Sequence, residues 1–236
     1  MPDLELRRQS ECRLTVERAL ETLDEAEAFL RDRGLLTLMP DSALPSLFGA
    51  CHEPPYKPGS RGFGLWPATK WPWGIELAER ALRTKLHGGK GLFLSEETAA
   101  LVDPLCRDEL ARAEAGGHGP EAQLLVARLA ELGPALPEEL DVHRRTRDRL
   151  ERLGAVVSRP VRLGGGGYTS ELARWDQVRP EPSAGGLDEL VLAGVRAAVV
   201  APEPEVAGWF PWRADPARLV EKGRLARPAA GLVCVP

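Results

Sequence analysis

Basic and aromatic side chains are concentrated between residues 55 and 90. This window holds seven Lys or Arg and two Asp or Glu, a net charge of +5, whereas the whole chain carries −4. Cations that follow phosphates, together with rings that stack on bases, are typical of single-strand binding and would also suit a flipped base. The residues that we expect to contact nucleic acid here are Lys70, Trp71, Trp73, Arg83, Lys85 and Lys90. The alternative is that the tryptophans are core residues between structural units.

A second concentration of cations lies on a predicted helix over residues 141–153, which contains five arginines. Arginine suits both phosphate oxygens and guanine, so this helix is a candidate DNA-reading surface. The candidate contact residues are Arg144 and Arg147 on the helix and Arg159 and Arg162 on the strand that follows it.

The same helix has one face that should be buried and one that should face outward. Its predicted buried residues are Val142, Thr146, Leu150 and Leu153, and its outermost residues are Arg144, Asp148 and Glu151. Arg147 and Arg152 flank the outer face, and Arg149 falls near the buried edge. The alternative to DNA contact is a solvated face of i,i+4 ion pairs, namely Arg144–Asp148, Arg147–Glu151 and Asp148–Arg152.

Residue types that would indicate catalysis or metal binding occur singly. The four histidines stand apart, with no nucleophile motif beside them. Glu138 and Glu139 are expected to complement a helix dipole rather than to act as acid and base. Cys51 and His52 form the one Cys–His neighbour pair, without the further patterned ligands that zinc needs. We therefore expect no metal and no cofactor, and the catalytic residues are unknown.

The elements that would position these residues are clearest between Gly119 and Trp175. Apolar residues recur at helical spacing over residues 121–132, a short helix is expected at 137–140, and Asp141 is expected to cap the helix that ends at Gly154. Strands over 155–163 and 168–175 flank a four-glycine tip at 164–167. Three helices followed by a β-hairpin predict a winged-helix unit.

Similar element orders are expected on both sides of this unit. Before it, the pattern predicts helices at 24–33, 43–51 and 74–81, a hairpin at 82–95 with a turn at His87–Lys90, and a helix at 96–115. After it, helices are expected at 187–200, 203–209 and 216–222, and hairpin strands at 224–227 and 232–235. The fold class is therefore α+β, mostly α, with three tandem winged-helix units. Its predicted divisions are a charged arm at 1–23 and units at 24–118, 119–180 and 181–236.

Bulk properties are those of a soluble globular protein, with 43% hydrophobic and 28% charged residues among 236. The longest apolar stretch, 190–201, contains Arg196 and is shorter than the ~20 residues of a membrane helix. The four cysteines are widely spaced, and no secretory leader pattern precedes them. We therefore expect reduced thiols, a cytoplasmic location and no membrane partner.

The layout resembles a family of bacterial DNA-repair enzymes. The stretches that carry the resemblance are 44–48 (LPSLF), 70–73 (KWPW), 85–91 (KLHGGKG) and the unit from Gly119 to Trp175. They are similar to the AlkZ-type (YcaQ-like) winged-helix DNA glycosylases, which unhook interstrand crosslinks. Those enzymes share a Gln-x-Gln catalytic motif, whereas the glutamines here, Gln9, Gln123 and Gln177, are isolated.

The resemblance implies a shorter relative that binds duplex or single-stranded DNA without catalysis, as a repair accessory or regulator. Two alternatives remain open. One is a divergent glycosylase that acts on alkylated or crosslinked DNA. The other is a winged-helix module that docks a protein partner.

Overall fold

The computed structural model describes residues 2–164 and 167–236, and that part of the chain is an α+β structure with ten α-helices and three small antiparallel sheets. The glycine tip predicted at 164–167 lies partly outside it, at residues 165 and 166. The helices are α1 (Pro2–Glu11), α2 (Leu23–Arg33), α3 (Trp73–Arg80), α4 (Glu96–Glu114), α5 (Pro120–Leu132), α6 (Arg144–Leu153), α7 (Trp175–Val178), α8 (Leu187–Ala198), α9 (Glu203–Val206) and α10 (Pro216–Glu221). The strands are β1 (Leu35–Thr37), β2 (Leu82–His87), β3 (Lys90–Leu94), β4 (Val156–Arg162), β5 (Tyr168–Arg174), β6 (Val200–Pro202), β7 (Ala226–Ala229) and β8 (Leu232–Cys234).

The first unit combines α2 and α3 with a sheet of order β1–β3–β2. The Thr22 hydroxyl accepts from the Glu25 N–H at the start of α2, and Gly34 ends that helix with φ of 82°. The hairpin turn at Gly88 and Gly89 also uses positive φ, as two-residue hairpin turns do. The predicted hairpin over 82–95 is confirmed.

The helix predicted at 43–51 is wrong. This segment is built of turns, and Ser46 lies beside Thr37 as an isolated parallel bridge. The Thr37 N–H donates to the Pro45 carbonyl (2.9 Å), and the Leu47 N–H donates to the Thr37 carbonyl (2.8 Å). Proline disfavours helical backbone in the residue before it, and the edge of β1 offers this segment hydrogen bonds that replace helical ones.

The second unit comprises α5, a 3-10 helix at Pro137–Glu139, α6 and the hairpin β4–β5. An isolated antiparallel bridge joins Ala135 to Leu172 on β5. The N-cap of α6 is His143, whose Nδ1 accepts from the Arg145 N–H (3.1 Å), and not Asp141 as predicted. Asp141 instead has φ of 46° in the turn before the helix, a conformation that Asp tolerates better than most residues.

The third unit contains α8, α9 and α10 with a sheet of order β6–β8–β7. Asp215 caps α10 as its sequence predicts, because its carboxylate accepts from the Arg218 N–H (3.0 Å) and Pro216 occupies the first helical position. Strand β6 was not expected from the sequence. The helix predicted to reach residue 200 ends at Ala198, and Val199 with φ of 67° turns the chain into that strand.

One core joins the three units. Buried side chains from the first sheet, from α5 and α6, and from α8 and β8 pack in a single cluster, whereas the first unit has a second, smaller core around Leu36, Leu77 and Phe93. The predicted arm at 1–23 is also packed, because the Cys12 thiol donates to the Ala197 carbonyl (3.4 Å) and Leu20 is fully buried. The three units therefore pack against one another and are not separate domains.

All four cysteines are buried free thiols. Burial raises the pKa of Cys12 to about 11 and that of Cys51 to about 12. Among the described residues, no group of three or more His, Cys, Asp or Glu side chains is arranged to hold a metal ion. In the same part of the chain, no helix combines the length and the apolar character that crossing a membrane requires.

Candidate nucleic-acid interface

Lys70, a predicted contact residue, is turned toward the protein. Its Nζ donates to the Leu20 carbonyl (2.7 Å) and lies 3.3 Å from a Glu21 oxygen and 3.5 Å from a Glu53 oxygen. The ammonium also lies 5.4 Å from the ring centroid of Trp73, which packs partly buried against the smaller core. The charge of Lys70 is thus neutralised within the first unit.

Trp71 and Arg83 also contact their own unit. The Trp71 ring meets Phe63 edge-on, with centroids 5.2 Å apart. The Arg83 guanidinium lies 5.9 Å from the Phe93 ring centroid and donates a long hydrogen bond (3.4 Å) to the Gly74 carbonyl. Burial lowers the pKa of Arg83 below its usual value, the sign of a desolvated cation rather than one presented to solvent.

The two hairpin lysines are paired with carboxylates. Lys85 Nζ lies 2.7 Å from Glu151 and 4.0 Å from Asp148, both on α6. Lys90 Nζ lies 2.6 Å from Asp41. Residues 55–90 therefore contain a net excess of cations, but Lys70, Lys85 and Lys90 are neutralised by acids from other parts of the chain.

The hairpin β2–β3 covers the face of α6 that the sequence turns outward. Glu151 is only 4% exposed, because Lys85 and the Ser158 hydroxyl both contact its carboxylate. The expectation that Glu151 is one of the outermost residues of α6 is therefore wrong. The ion pair Arg144–Asp148 is present (3.5 Å), whereas the acid expected to pair with Arg147 is bound to Lys85.

The remaining predicted residues of the second unit have mixed surroundings. Arg147 is half-buried. Arg159 pairs with Glu171 across the hairpin (2.6 Å). Arg162 is exposed and donates to the Tyr168 hydroxyl (2.7 Å), a hydrogen bond that raises the Arg162 pKa. These residues do not converge on one free cationic surface.

A different set of arginines does converge. Arg145, Arg149 and Arg152 are spaced i, i+4 and i+7 along α6, so they form one stripe, and all three are exposed. None of them forms an ion pair with a carboxylate within residues 2–164 and 167–236. Arg149, expected near the buried edge, reaches toward the His118 carbonyl (3.4 Å) instead.

This stripe forms one wall of an open groove of about 620 Å³. The other lining residues come from the end of α4, from the loop after it and from the third unit, and they include Glu109, Arg112, His118, Pro211 and Trp212. We call this site the α6 groove. Trp212 is partly buried against the shared core, so its position is fixed by packing.

The charges of the α6 groove do not cancel. Four arginines and two carboxylates line it. The Glu109 carboxylate is occupied by His118 (2.8 Å) and Arg112 (3.4 Å), and Asp148 is shared between Arg144 and Lys85. No carboxylate of the described residues therefore neutralises the three arginines of the α6 stripe, although Arg149 contacts His118 and Arg152 lies beside Gly89. Guanidinium groups bind phosphate oxygens in a bidentate manner.

The sequence shows the i, i+4, i+7 spacing of the stripe. It does not show that these three arginines lack carboxylate partners. In an isolated helix of this sequence, Arg144 and Arg147 point away from the buried face. In the structure the first unit packs on the outward side of α6, where Lys85 contacts Asp148 and Glu151. The side that carries Arg145 and Arg149 is left exposed. Trp212 lies some 60 residues further along the chain, and no local pattern places it opposite α6.

Two further cavities lie where the first and second units meet. The larger, of about 510 Å³, is bordered by arginines that pair with carboxylates, such as Arg80, Arg159 and Arg179. The smaller, of about 270 Å³, contains the contacts of Glu151 with Lys85 and Ser158. Four of the six cations that line these two cavities pair with carboxylates, and the exceptions among the described residues are Arg31 and Arg83.

Comparison with known proteins adds no assignment. No protein-family model matches this chain, and no curated protein or solved structure is significantly similar to it. The resemblance to AlkZ-type glycosylases remains a hypothesis drawn from layout.

Proposed function

We propose that this chain is a DNA-binding protein built from three winged-helix units. In such units a short strand between the helices pairs with the last strand of the hairpin. The sheet orders β1–β3–β2 and β6–β8–β7 follow this rule, and the bridge from Ala135 to β5 is its counterpart in the middle unit. The order of helices and strands in the second and third units supports this assignment, whereas the first unit has turns at 43–51 where a middle helix would lie.

The observation that carries the DNA-binding proposal is the stripe Arg145, Arg149 and Arg152. Arginine on the third helix of a winged-helix unit is commonly used on DNA. Here the hairpin β2–β3 of the first unit covers the side of α6 that carries Asp148 and Glu151. This hairpin blocks head-on entry of α6 into a major groove. We therefore propose that the α6 groove follows the phosphate backbone, a contact that does not depend on base sequence.

We also propose that the protein binds DNA without releasing bases. Two buried carboxylates line cavities among the described residues, and each is occupied by neighbouring side chains. Glu151 contacts Lys85 and Ser158, and Glu109 contacts His118 and Arg112. A general base must reach the proton or water that it activates. Release of a base from alkylated or crosslinked duplex DNA by the purified protein would favour the divergent-glycosylase alternative.

The test is duplex binding by a triple variant, Arg145→Ala, Arg149→Ala and Arg152→Ala. Fluorescence anisotropy with a labelled 20-base-pair duplex at low salt should give an affinity at least ~30-fold weaker than wild type, because three phosphate contacts are removed. Alanine suits a helix interior, so the fold should be retained.

The matched control removes Arg218, Arg224 and Arg227 instead. These arginines are comparably exposed on the third unit but pair with Asp188, Glu189 and Glu203. The control should bind duplex within about twofold of wild type, since neutralised cations release few counterions. Equal losses in both triple variants would reject the α6 groove as the DNA site.

A further inference from the structure

The segment between Pro54 and Pro67 projects from the first unit as a loop with a defined shape. The Tyr56 N–H donates to the Trp66 carbonyl (2.6 Å), and the Lys57 N–H donates to the Gly64 carbonyl (2.9 Å). Pro55 and Pro67 face each other as an isolated antiparallel bridge at its base. These bonds hold the two arms of the loop together.

Glycines allow the tip of this loop to be tight. Gly59 and Gly62 have positive φ of 75° and 61°, where other residues are strained. A Cβ at Gly64 would overlap the Ser60 hydroxyl, which in turn donates to the Lys57 carbonyl (2.6 Å). The tip is thus packed on itself rather than extended.

A run of aromatic rings leads from the core to the surface of the loop. Buried Phe48 contacts Trp66 (centroids 5.3 Å apart), Trp66 contacts Phe63 (4.8 Å), and Phe63 contacts Tyr56 (5.8 Å). At the outer end Tyr56 is 56% exposed and Phe63 is 45% exposed. The exposed rings are therefore fixed in place by rings beneath them, at little cost in conformational entropy on binding.

The charge beside these rings is uncompensated. Lys57 and Arg61 are exposed, and neither forms an ion pair with a carboxylate of the described residues. Residues 54–69 contain no acid. The nearest one, Glu53, accepts from the Thr69 and Lys70 backbone and from the Thr69 hydroxyl, so its charge is already used.

We propose that this loop binds the unstacked bases of a nucleic acid, with Tyr56 and Phe63 as stacking partners and Lys57 and Arg61 on the adjoining phosphates. Exposed rings beside free cations are the features with which single strands are held. Fully paired DNA hides the faces of its bases, so the loop adds affinity only where bases are unpaired or flipped. This inference rests on the proposed function and names its substrate class, which is DNA with unpaired bases beside a duplex.

The test compares single strand and duplex on one protein. The double variant Tyr56→Ala, Phe63→Ala should bind a labelled 20-nucleotide oligothymidylate at least ~10-fold more weakly than wild type, because two stacked bases are lost. Its affinity for a 20-base-pair duplex should stay within about twofold. The variant Lys57→Ala, Arg61→Ala should lose single-strand affinity and show a shallower salt dependence.

The control replaces two equally exposed apolar residues outside the loop, Leu124 and Leu132, by alanine. It should bind both DNAs like wild type. Single-strand affinity unchanged in the loop variants would overturn the proposal, as would an equal loss in the leucine control. Loop-dependent self-association or binding to anionic vesicles, without loop-dependent binding of single strands, would assign the loop to another partner and also overturn it.

Failure of this inference can be told apart from failure of the proposed function. If wild type binds duplex through the arginine stripe while the loop variants bind single strands normally, only the role of the loop is rejected. If wild type binds single strands through the loop but no duplex, the α6 groove and the adjoining duplex are rejected, and the binding of unpaired bases by the loop stands. Far-UV circular dichroism of each variant shows whether it is folded.

Discussion

At the scale of single residues, the pair Lys85–Glu151 decides how the first unit meets α6. The Glu151 carboxylate is almost fully buried, and it contacts both Lys85 Nζ (2.7 Å) and the Ser158 hydroxyl. A buried carboxylate that loses its cation pays a desolvation cost that the remaining hydrogen bond only partly offsets. The ion pair therefore stabilises the packing of β2 on α6, and Lys85 is not available to bind a ligand.

Removing this lysine should destabilise the protein more than removing its neighbour on the hairpin. Lys85→Ala should lower the free energy of unfolding by about 1–3 kcal/mol, because a buried charge loses its partner. Lys90→Ala, which breaks an exposed pair with Asp41, should cost less than about 1 kcal/mol. Urea unfolding curves of both variants measure the difference. Equal losses would show that Glu151 does not depend on Lys85.

At the scale of secondary-structure elements, Asp103 fastens α4 to the chain that follows α7. Its fully buried carboxylate accepts from Arg107 (2.9 Å), from the Trp175 indole (2.7 Å) and from the Ser183 N–H (2.8 Å). Burial alone would raise the Asp103 pKa, but these hydrogen bonds lower it by more, so the net shift is downward.

A lowered pKa in the folded state makes this contribution sensitive to acid. The unfolded value is about 3.9, so the ionised carboxylate stabilises the fold fully above about pH 5, and this stability is lost as pH falls through 4 toward the folded pKa. Asp103→Asn should therefore lower the free energy of unfolding by about 3 kcal/mol at pH 7. Below pH 4 the difference in free energy of unfolding between the variant and wild type should become smaller.

The matched control is Asp108→Asn, an exposed residue on the same helix. It should leave stability nearly unchanged at both ends of the pH range. Urea midpoints at pH 7, 5, 4 and 3.5 give the comparison. A gap between wild type and Asp103→Asn that is constant with pH would contradict the assigned role of the carboxylate.

Elements with strong local signals were predictable from the sequence. Apolar spacing and terminal glycines located α2, α5 and α6, and Gly88–Gly89 located the turn of the first hairpin. The helix predicted at 43–51 does not form for a tertiary reason, because residues of that segment make backbone hydrogen bonds with Thr37 and Leu38 instead. Strand β6 was missed because its three residues follow an apolar helix without a break in pattern.

The candidate site was less predictable than the fold, because charge pairing is not local. Lys70 meets Glu21 about 50 positions earlier, and Lys85 meets Glu151 further along the chain. A count of cations in a window does not register these partners. Which arginines of α6 stay free depends on the first unit covering one side of the helix, and this contact leaves no trace in the periodicity of α6.

At the scale of the whole molecule, the three units share one hydrophobic core. Ala43 of the first unit donates its N–H to Glu205 of the third (2.6 Å), and His87 Nδ1 lies 3.0 Å from the Trp209 carbonyl. Because each unit relies on its neighbours to cover apolar surface, unfolding one should expose the cores of the others.

The protein should therefore unfold in a single cooperative transition. Far-UV circular dichroism follows all helices, and the six tryptophans report on all three units. Urea curves from the two signals should have the same midpoint. Two resolved transitions, or a folded second unit after proteolytic loss of the third, would contradict the shared core.

Because the whole molecule carries a net charge of −4 and repels DNA, binding of DNA requires a local concentration of positive charge. The most direct test is the salt dependence of duplex binding, plotted as log K against log salt concentration for wild type and for the variant lacking Arg145, Arg149 and Arg152. If each arginine meets one phosphate, the slope should become shallower by about 2.7 in the variant, since each phosphate contact contributes about 0.9. Equal slopes for the two proteins, or no salt-sensitive binding by wild type, would contradict the assignment of the α6 groove to DNA.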